Sequence, residues 1–70
     1  MRNLEEIKEA VIVAMNRESI EEHEIRVTVP VSMIDEWTEE SDGGIDFHTE
    51  NGHNYRLGND GYLYDIGQDA

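Results

Sequence analysis

Two histidines and a glutamate near the middle of the chain, His48, Glu50 and His53, carry the kinds of side chain that bind zinc. A hairpin that pairs His53 with Thr49 would place His53 on the opposite face of the strands from His48. The remaining histidine, His23, is distant in sequence. The sequence therefore predicts no metal site, and it contains no pattern that calls for a cofactor.

The tripeptide Asn59-Asp60-Gly61 is a second candidate for a cation site, because it is similar to part of a calcium-binding loop. Such a loop has alternating oxygen ligands before its glycine and a glutamate six residues after it. Here Arg56 stands at the first ligand position, Gly58 at the third, and Gly67 where the glutamate should be. We therefore expect the tripeptide to form a turn.

No residue pattern in the chain is typical of catalysis. Pairs of carboxylates could act as acid and base, but pairs are inevitable among seventeen acids and carry no information. Gly43-Gly44 has no basic residue beside it and matches no phosphate-binding pattern. The chain has no cysteine to act as a nucleophile, and seventy residues cannot easily enclose a substrate. We expect one domain, residues 1–70, without enzymatic activity.

Charge is the strongest signal in the sequence. Seventeen acids against five bases give a net charge of −12 at neutral pH. Charge of this sign repels nucleic acid and anionic membranes, and it accelerates association with basic partners. The same charge could serve only solubility or tolerance of high salt, and composition does not decide between these interpretations.

The segment from Asn3 to about Ser19 is predicted to be an amphipathic helix, because its apolar residues recur at three- and four-residue spacing. The residues with that spacing are Leu4, Ile7, Val11, Ala14 and Met15. Asn3 is suited to cap this helix, and Glu6 follows three residues later, as in a capping box. Ile12 and Val13 widen the apolar side, which predicts either extra burial or contact with a partner, a second copy included.

Residues 25 to 42 are predicted to form a strand and then a short helix. Apolar and polar residues alternate over Ile25–Val29, and Pro30 would end that strand or place it at a sheet edge. Ser32 could cap a helix that stops at Gly43-Gly44. The apolar side of that helix would carry Met33, Ile34 and Trp37. A longer, bulged strand through the same stretch is the alternative, because apolar residues also alternate from Val29 to Met33.

The last third of the chain is predicted to be a three-stranded antiparallel meander with turns at Asn51-Gly52 and Asn59-Asp60-Gly61. A two-residue first turn would place the apolar residues of the two strands on opposite faces. A three-residue loop with Gly52 left-handed instead places all four on one face, so burial favours it. The pairs that this loop predicts are Phe47 with Tyr55 and Ile45 with Leu57.

An even-numbered second loop would add three residues of the last strand to the same buried face. Those residues are Tyr62, Tyr64 and Ile66. Leu63 and Asp65 would then lie on the solvent side, and Gly67 to Ala70 would fray. With helices over the buried face, the predicted fold is an α+β domain whose elements follow the order αβαβββ.

Acidic residues are the candidate contact residues for a partner. The first set, on the predicted second helix and its end, comprises Asp35, Glu36, Trp37, Glu39, Glu40 and Asp42. The second set, on the first helix, comprises Glu5, Glu6 and Glu9. Carboxylates three or four positions apart on a helix lie about 5–6 Å apart, slightly closer than phosphates along a nucleic-acid strand. Such an array could occupy an arginine- and lysine-lined channel built for DNA or RNA. Trp37 and Tyr62 are the candidates to anchor the rim of an interface, and ordinary packing in the core is the alternative.

In size, charge, absence of cysteine and compact α+β layout, the chain resembles the small acidic inhibitors carried by bacteriophages and mobile elements. These include nucleic-acid mimics, anti-restriction proteins and anti-CRISPR proteins. The resemblance covers overall character and no motif. It implies a cytoplasmic protein of a bacterium or phage-infected cell that blocks a nucleic-acid-binding protein, without itself binding nucleic acid or membrane. The alternative is a structural or regulatory domain, acidic for solubility or salt tolerance, that could form a homodimer.

Overall fold

A computed structural model describes residues 3–21 and 26–69, in which one α-helix packs against one face of a four-stranded antiparallel sheet. The elements are α1 (Leu4–Ile20), a 3-10 turn (Val31–Met33), β1 (Ile34–Glu39), β2 (Ile45–Thr49), β3 (His53–Leu57) and β4 (Leu63–Gln68). The strands lie in chain order across the sheet. The α+β class is confirmed, but the order of elements differs from αβαβββ. No helix in the described ranges has the length and apolar character needed to cross a membrane.

The first helix forms where the sequence predicts it. The Asn3 side chain accepts a hydrogen bond from the Glu6 backbone N–H at 2.9 Å, which satisfies one of the unpaired donors at the helix start. The buried stripe runs through Ile7, Val11 and Ala14, as the spacing indicates. It continues into Glu18, which is only 1% exposed although it is an acid.

The strand predicted over Ile25–Val29 is wrong. Residues 26–30 adopt no regular structure, and Ile25 and His23 lie outside the described residues. Val29 is nevertheless buried, and its backbone N–H donates to the Met15 sulfur at 3.4 Å. The alternation of apolar residues therefore reflects burial against α1 rather than strand pairing.

The second predicted helix is also wrong, and the alternative strand interpretation is the better one. β1 pairs with β2, and a bulge lies between Ile34 and Glu36. A bulge inserts one extra residue, so that residues three apart point to the same side. Ile34 and Trp37 have that separation, which fits a helix equally well. Pairing with β2 favours the bulged strand over the helix, because it satisfies the backbone hydrogen-bonding groups along one side of β2.

The first hairpin confirms the predicted register. Phe47 lies opposite Tyr55 and Ile45 opposite Leu57, with a three-residue loop between the strands. Gly52 has φ 82°, a left-handed conformation in which glycine is favoured. The rings of Phe47 and Tyr55 stack with their centroids 5.5 Å apart. All four apolar residues are buried.

The second hairpin has a different register from the predicted one. Leu57 lies opposite Leu63, so the connection between them has an odd number of residues and the alternation in β4 is inverted. Leu63 is 4% exposed, whereas Tyr64 is 46% exposed and Ile66 60% exposed. The prediction that Tyr64 and Ile66 join the core is therefore wrong, as is the prediction of a solvent-facing Leu63.

Hydrogen bonds at the second turn explain the inverted register. The Leu63 backbone N–H donates to the buried Glu18 carboxylate at 3.0 Å, and the Tyr62 N–H donates to the Asp60 carboxylate at 2.9 Å. Gly61 has φ 86°, which lets the chain reverse. Residues 67 and 68 belong to β4 rather than to a frayed tail, and Ala70 lies outside the described residues.

The core lies between α1 and one face of the sheet. Its buried apolar residues are Ile7, Val11, Ala14, Val29, Ile34, Ile45, Phe47, Tyr55, Leu57 and Leu63. Within the described ranges, no helix or strand covers the other face, which we call the open face. Side chains of the open face are Glu36, Thr38, Asp46, His48, Asn54, Arg56, Tyr64 and Ile66.

Candidate functional site: the acidic edge strand and the open face

β1 is an edge strand, and it carries most of the first set of predicted contact residues. Glu36 lies opposite His48 and therefore belongs to the open face. Trp37 and Glu39 lie opposite core residues of β2, so they belong to the side that α1 covers. Trp37 is partly buried against the core. Because β1 is a strand, these predicted contact residues lie on two faces of the sheet. The predicted helix would have placed them close together.

The turn after β1 extends the line of carboxylates. The Glu40 N–H donates to the Gly44 carbonyl at 2.8 Å, and the Asp42 carboxylate accepts the Gly44 N–H at 2.8 Å. The Asn59 side chain donates to the Asp42 carbonyl at 3.2 Å, which joins this turn to the turn between β3 and β4. We call the five carboxylates of this edge the acidic margin: Asp35, Glu36, Glu39, Glu40 and Asp42.

The second predicted set lies on α1, away from the open face. Glu6 and Glu9 line a groove of about 630 Å³ between α1 and the turns that contain Gly43 and Gly58. No residue of the first predicted set lines this groove, although Gly43, which follows Asp42, does. α1 also exposes Ile12, Val13 and Ile20 at 44%, 61% and 82%; dimerisation through this helix stays a prediction.

One ion pair crosses the open face between β2 and β3. Arg56 donates to both carboxylate oxygens of Asp46, at 2.7 and 3.1 Å. Arg56 lowers the pKa of the Asp46 carboxyl, and the hydrogen bond and negative charge of Asp46 raise the pKa of Glu40. The guanidinium is thereby committed to Asp46 and offers little charge to an outside ligand.

A second polar cluster lies at the other end of the open face. The two His48 ring nitrogens each lie 2.8 Å from a carboxylate oxygen, one of Asp35 and one of Asp69. The Asn54 side chain donates to the other oxygen of Asp69 at 2.6 Å. The hydrogen bonds to Asp35 and Asp69 raise the pKa of His48. His48 thus ties the bulge of β1 to the residue that follows β4.

The raised pKa of His48 predicts a pH-dependent contribution to stability. This contribution is fully present below the ordinary histidine pKa of about 6.5 and is lost as pH rises through the raised value in the folded protein. His48→Gln should therefore lower the urea midpoint more at pH 5.5 than at pH 8.5. Comparison with wild type at each pH removes the effect of net charge on both proteins. An equal loss at the two pH values would contradict a stabilising role for the charged form of His48.

His53 lies on the side of the sheet that carries Tyr55, away from His48. Its Nε2 is 2.6 Å from an oxygen of Asp65, and its ring packs 4.6 Å from that of Tyr55. Within residues 3–21 and 26–69, no group of three or more His, Asp or Glu side chains is placed to hold a metal ion. The imidazoles of His48 and His53 act as hydrogen-bond partners of carboxylates in this structure.

Tyr62, a predicted rim anchor, is held against the end of α1. The Arg17 guanidinium lies 4.4 Å from the centre of the Tyr62 ring and donates to the Asp60 carbonyl at 3.1 Å. Arg17 also pairs with Glu21 at 3.1 Å. A Cβ on Gly61 would lie only 2.3 Å from the Arg17 guanidinium and would displace it, and the φ of 86° at this position itself favours glycine.

Three residues that the sequence does not mark as candidates for the site have defined roles here. Glu18 is the buried acceptor that positions the start of β4, and its place in the stripe after Val11 and Ala14 is a signal that the sequence contains. Tyr64 and Ile66 are the exposed apolar side chains of the open face. Their exposure depends on a loop length that alternation alone cannot give.

No model of a protein family, no curated protein and no solved structure matches this chain. The basis for a function is therefore the chain's own charges and surfaces.

Proposed function

We propose that this domain binds a partner protein through the acidic margin, and that it occupies and blocks a basic surface at which the partner binds nucleic acid. The observation that carries the proposal is the concentration of five carboxylates along the edge strand and the turn after it. Asp35, Glu36 and Glu39 are exposed on β1, and Asp42 is exposed in the turn.

The spacing of an extended strand suits this role. A β-strand advances about 3.3 Å per residue, and the phosphates of one strand of duplex DNA are spaced about 3.4 Å along the helix axis. Within β1, Asp35, Glu36 and Glu39 place three carboxylates over five residues, which gives about 60% of the linear charge density of one phosphate strand. An α-helix, which rises about 1.5 Å per residue, would crowd the same charges into less than half that length.

Two bases of the described chain have carboxylate partners outside the acidic margin. Arg56 is paired with Asp46, and Arg17 is paired with Glu21. The chain keeps a net charge of −12, which steers basic partners toward it and repels nucleic acid. Surface charge of this kind acts mainly on the association rate and on specificity, and it is screened by salt.

Reversing the charge of the acidic margin tests the proposal. The triple variant Glu36→Lys, Glu39→Lys, Glu40→Lys should lose partner binding, by about tenfold or more at low salt, while it stays folded. Binding is measured by affinity capture from a bacterial lysate at low and moderate salt, followed by titration of the captured protein. Circular dichroism and thermal melting check the fold.

The second predicted set provides a matched control. The variant Glu5→Lys, Glu6→Lys, Glu9→Lys changes the net charge by the same amount on α1 instead of β1. We expect it to bind the partner nearly as wild type does. Equal losses in both triple variants would mean that net charge alone drives binding. Retained binding in the margin variant at physiological salt would contradict the proposal.

A further inference from the structure

The open face holds two exposed apolar side chains in an otherwise polar surface. Tyr64 and Ile66 project from β4 on the side away from α1, at 46% and 60% exposure. A sheet is normally apolar on the face that packs and polar on the face that meets water. Exposed apolar groups surrounded by polar ones are typical of an interaction surface.

Tyr64 is held in a fixed position. Its hydroxyl donates to the Asp60 carboxylate at 2.5 Å, and its ring passes over Gly58, where an added Cβ would lie 3.0 Å from the ring. An aromatic ring fixed before binding loses little conformational freedom when a partner covers it. Buried aromatic anchors of this kind carry much of the energy in protein interfaces.

Carboxylates lie beside these apolar side chains. Two hollows of about 320 and 550 Å³ meet at Arg56 and Ile66. Acidic residues whose carboxylates lie on the open face or its turns line both hollows: Glu36 and Asp46 in the first, and Asp42 and Asp60 in the second. Arg56, which is paired with Asp46, is their only lysine or arginine. A complementary surface must therefore be apolar where it meets β4 and basic where it meets the carboxylates of the neighbouring strands and turns.

We propose that the open face is the docking surface for a basic amphipathic helix of the partner, an inference that rests on the proposed function. A sheet face is commonly covered by a helix, as α1 covers the other face here. Strands lie about 4.8 Å apart, so β2 to β4 span about 10 Å, which is close to the diameter of a helix. Such a helix would cover Tyr64 and Ile66 with apolar side chains and place lysine or arginine beside Asp46 and the acidic margin.

A pair of synthetic peptides tests this inference. One is an amphipathic helix of leucine and lysine, and the other has the same composition with leucines spread around the helix. We expect the amphipathic peptide to bind more tightly and to shift the amide resonances of Arg56, Tyr64 and Ile66. Ile66→Ala should weaken its binding by about tenfold.

The control is Ile20→Ala, which removes an even more exposed isoleucine from α1. Ile20→Ala should leave the affinity unchanged, and the spectra of both variants report whether they fold. If both peptides bind wild type equally and Ile66→Ala has no effect, the docking inference is wrong while the electrostatic proposal stands. If neither peptide binds at low salt, the proposed function itself fails. Resonance shifts confined to the outer edge of β4 would indicate that the peptide adds to the sheet as a further strand. That result would contradict docking as a helix on the open face.

Discussion

Replacing Glu18 by alanine is expected to destabilise the domain by about 2–4 kcal/mol, the largest effect we expect for any single acid in this chain. The Glu18 side chain is 1% exposed, and its two oxygens accept the backbone N–H groups of Leu63 at 3.0 Å and Val27 at 3.4 Å. Alanine would leave the buried Leu63 N–H and the partly buried Val27 N–H without this acceptor and would open a cavity beneath them. A domain of this size has little stability to spare, so the variant should unfold at a much lower urea concentration.

Glu9→Ala is the matched control, because it removes an exposed carboxylate from the same helix. Its urea midpoint should stay close to that of wild type. Glu18→Gln keeps the size of the side chain but presents an amide N–H₂ toward a donor, so it should fall between the two alanine variants. Unfolding is followed by the fluorescence of Trp37 and by circular dichroism. If Glu18→Ala were as stable as Glu9→Ala, the carboxylate would not position β4.

The second large effect distinguishes the two possible registers of β4. Leu63→Ala should cost about 2–5 kcal/mol, whereas Ile66→Ala should stay within about 0.5 kcal/mol of wild type. Leu63 packs in the core at 4% exposure, and Ile66 projects into solvent at 60% exposure. An even-numbered loop would exchange these environments and reverse the order of the two effects.

Urea unfolding of both variants under identical conditions provides the comparison. The difference between the two free energies of unfolding matters more than either value, because both variants lose branched aliphatic side chains of the same size. A greater loss in Ile66→Ala would show that β4 adopts the register that alternation predicts. Comparable losses would mean that both side chains are buried.

Elements defined by local residues could be predicted from the sequence. The spacing in α1, its Asn3 cap and the first hairpin each depend on neighbouring residues and on one choice of buried face. β1 could not be predicted in this way, because Ile34 and Trp37 are spaced both for a helix and for a bulged strand. Only pairing with β2, which is a contact between distant residues, distinguishes the two.

The register of β4 shows a second limit. Tyr62, Tyr64 and Ile66 alternate as well as any buried strand, and alternation favoured them over Leu63. Tyrosine has a hydroxyl that needs a partner, and here Tyr64 finds Asp60 at the surface. The buried acceptor of Glu18, contributed by α1, holds Leu63 inward. Alternation in β4 contains no information about that contact.

The candidate site was predictable in composition but not in geometry. Charge alone identified the residues of the acidic margin, and nothing in the sequence indicated that they would follow an edge strand. The separation of Trp37 from Glu36 onto different faces follows from the period of two in a strand. The open face, with Tyr64 and Ile66, emerges only from the observed register.

Displacement of nucleic acid tests the central claim most directly. A partner captured from lysate is bound to fluorescently labelled DNA or RNA, and this protein is then titrated against the complex at fixed salt. We predict that wild type releases the nucleic acid and that the variant with lysine at positions 36, 39 and 40 does not. Release by both proteins, or a ternary complex in which the nucleic acid stays bound, would contradict the claim that the acidic margin occupies the partner's nucleic-acid site.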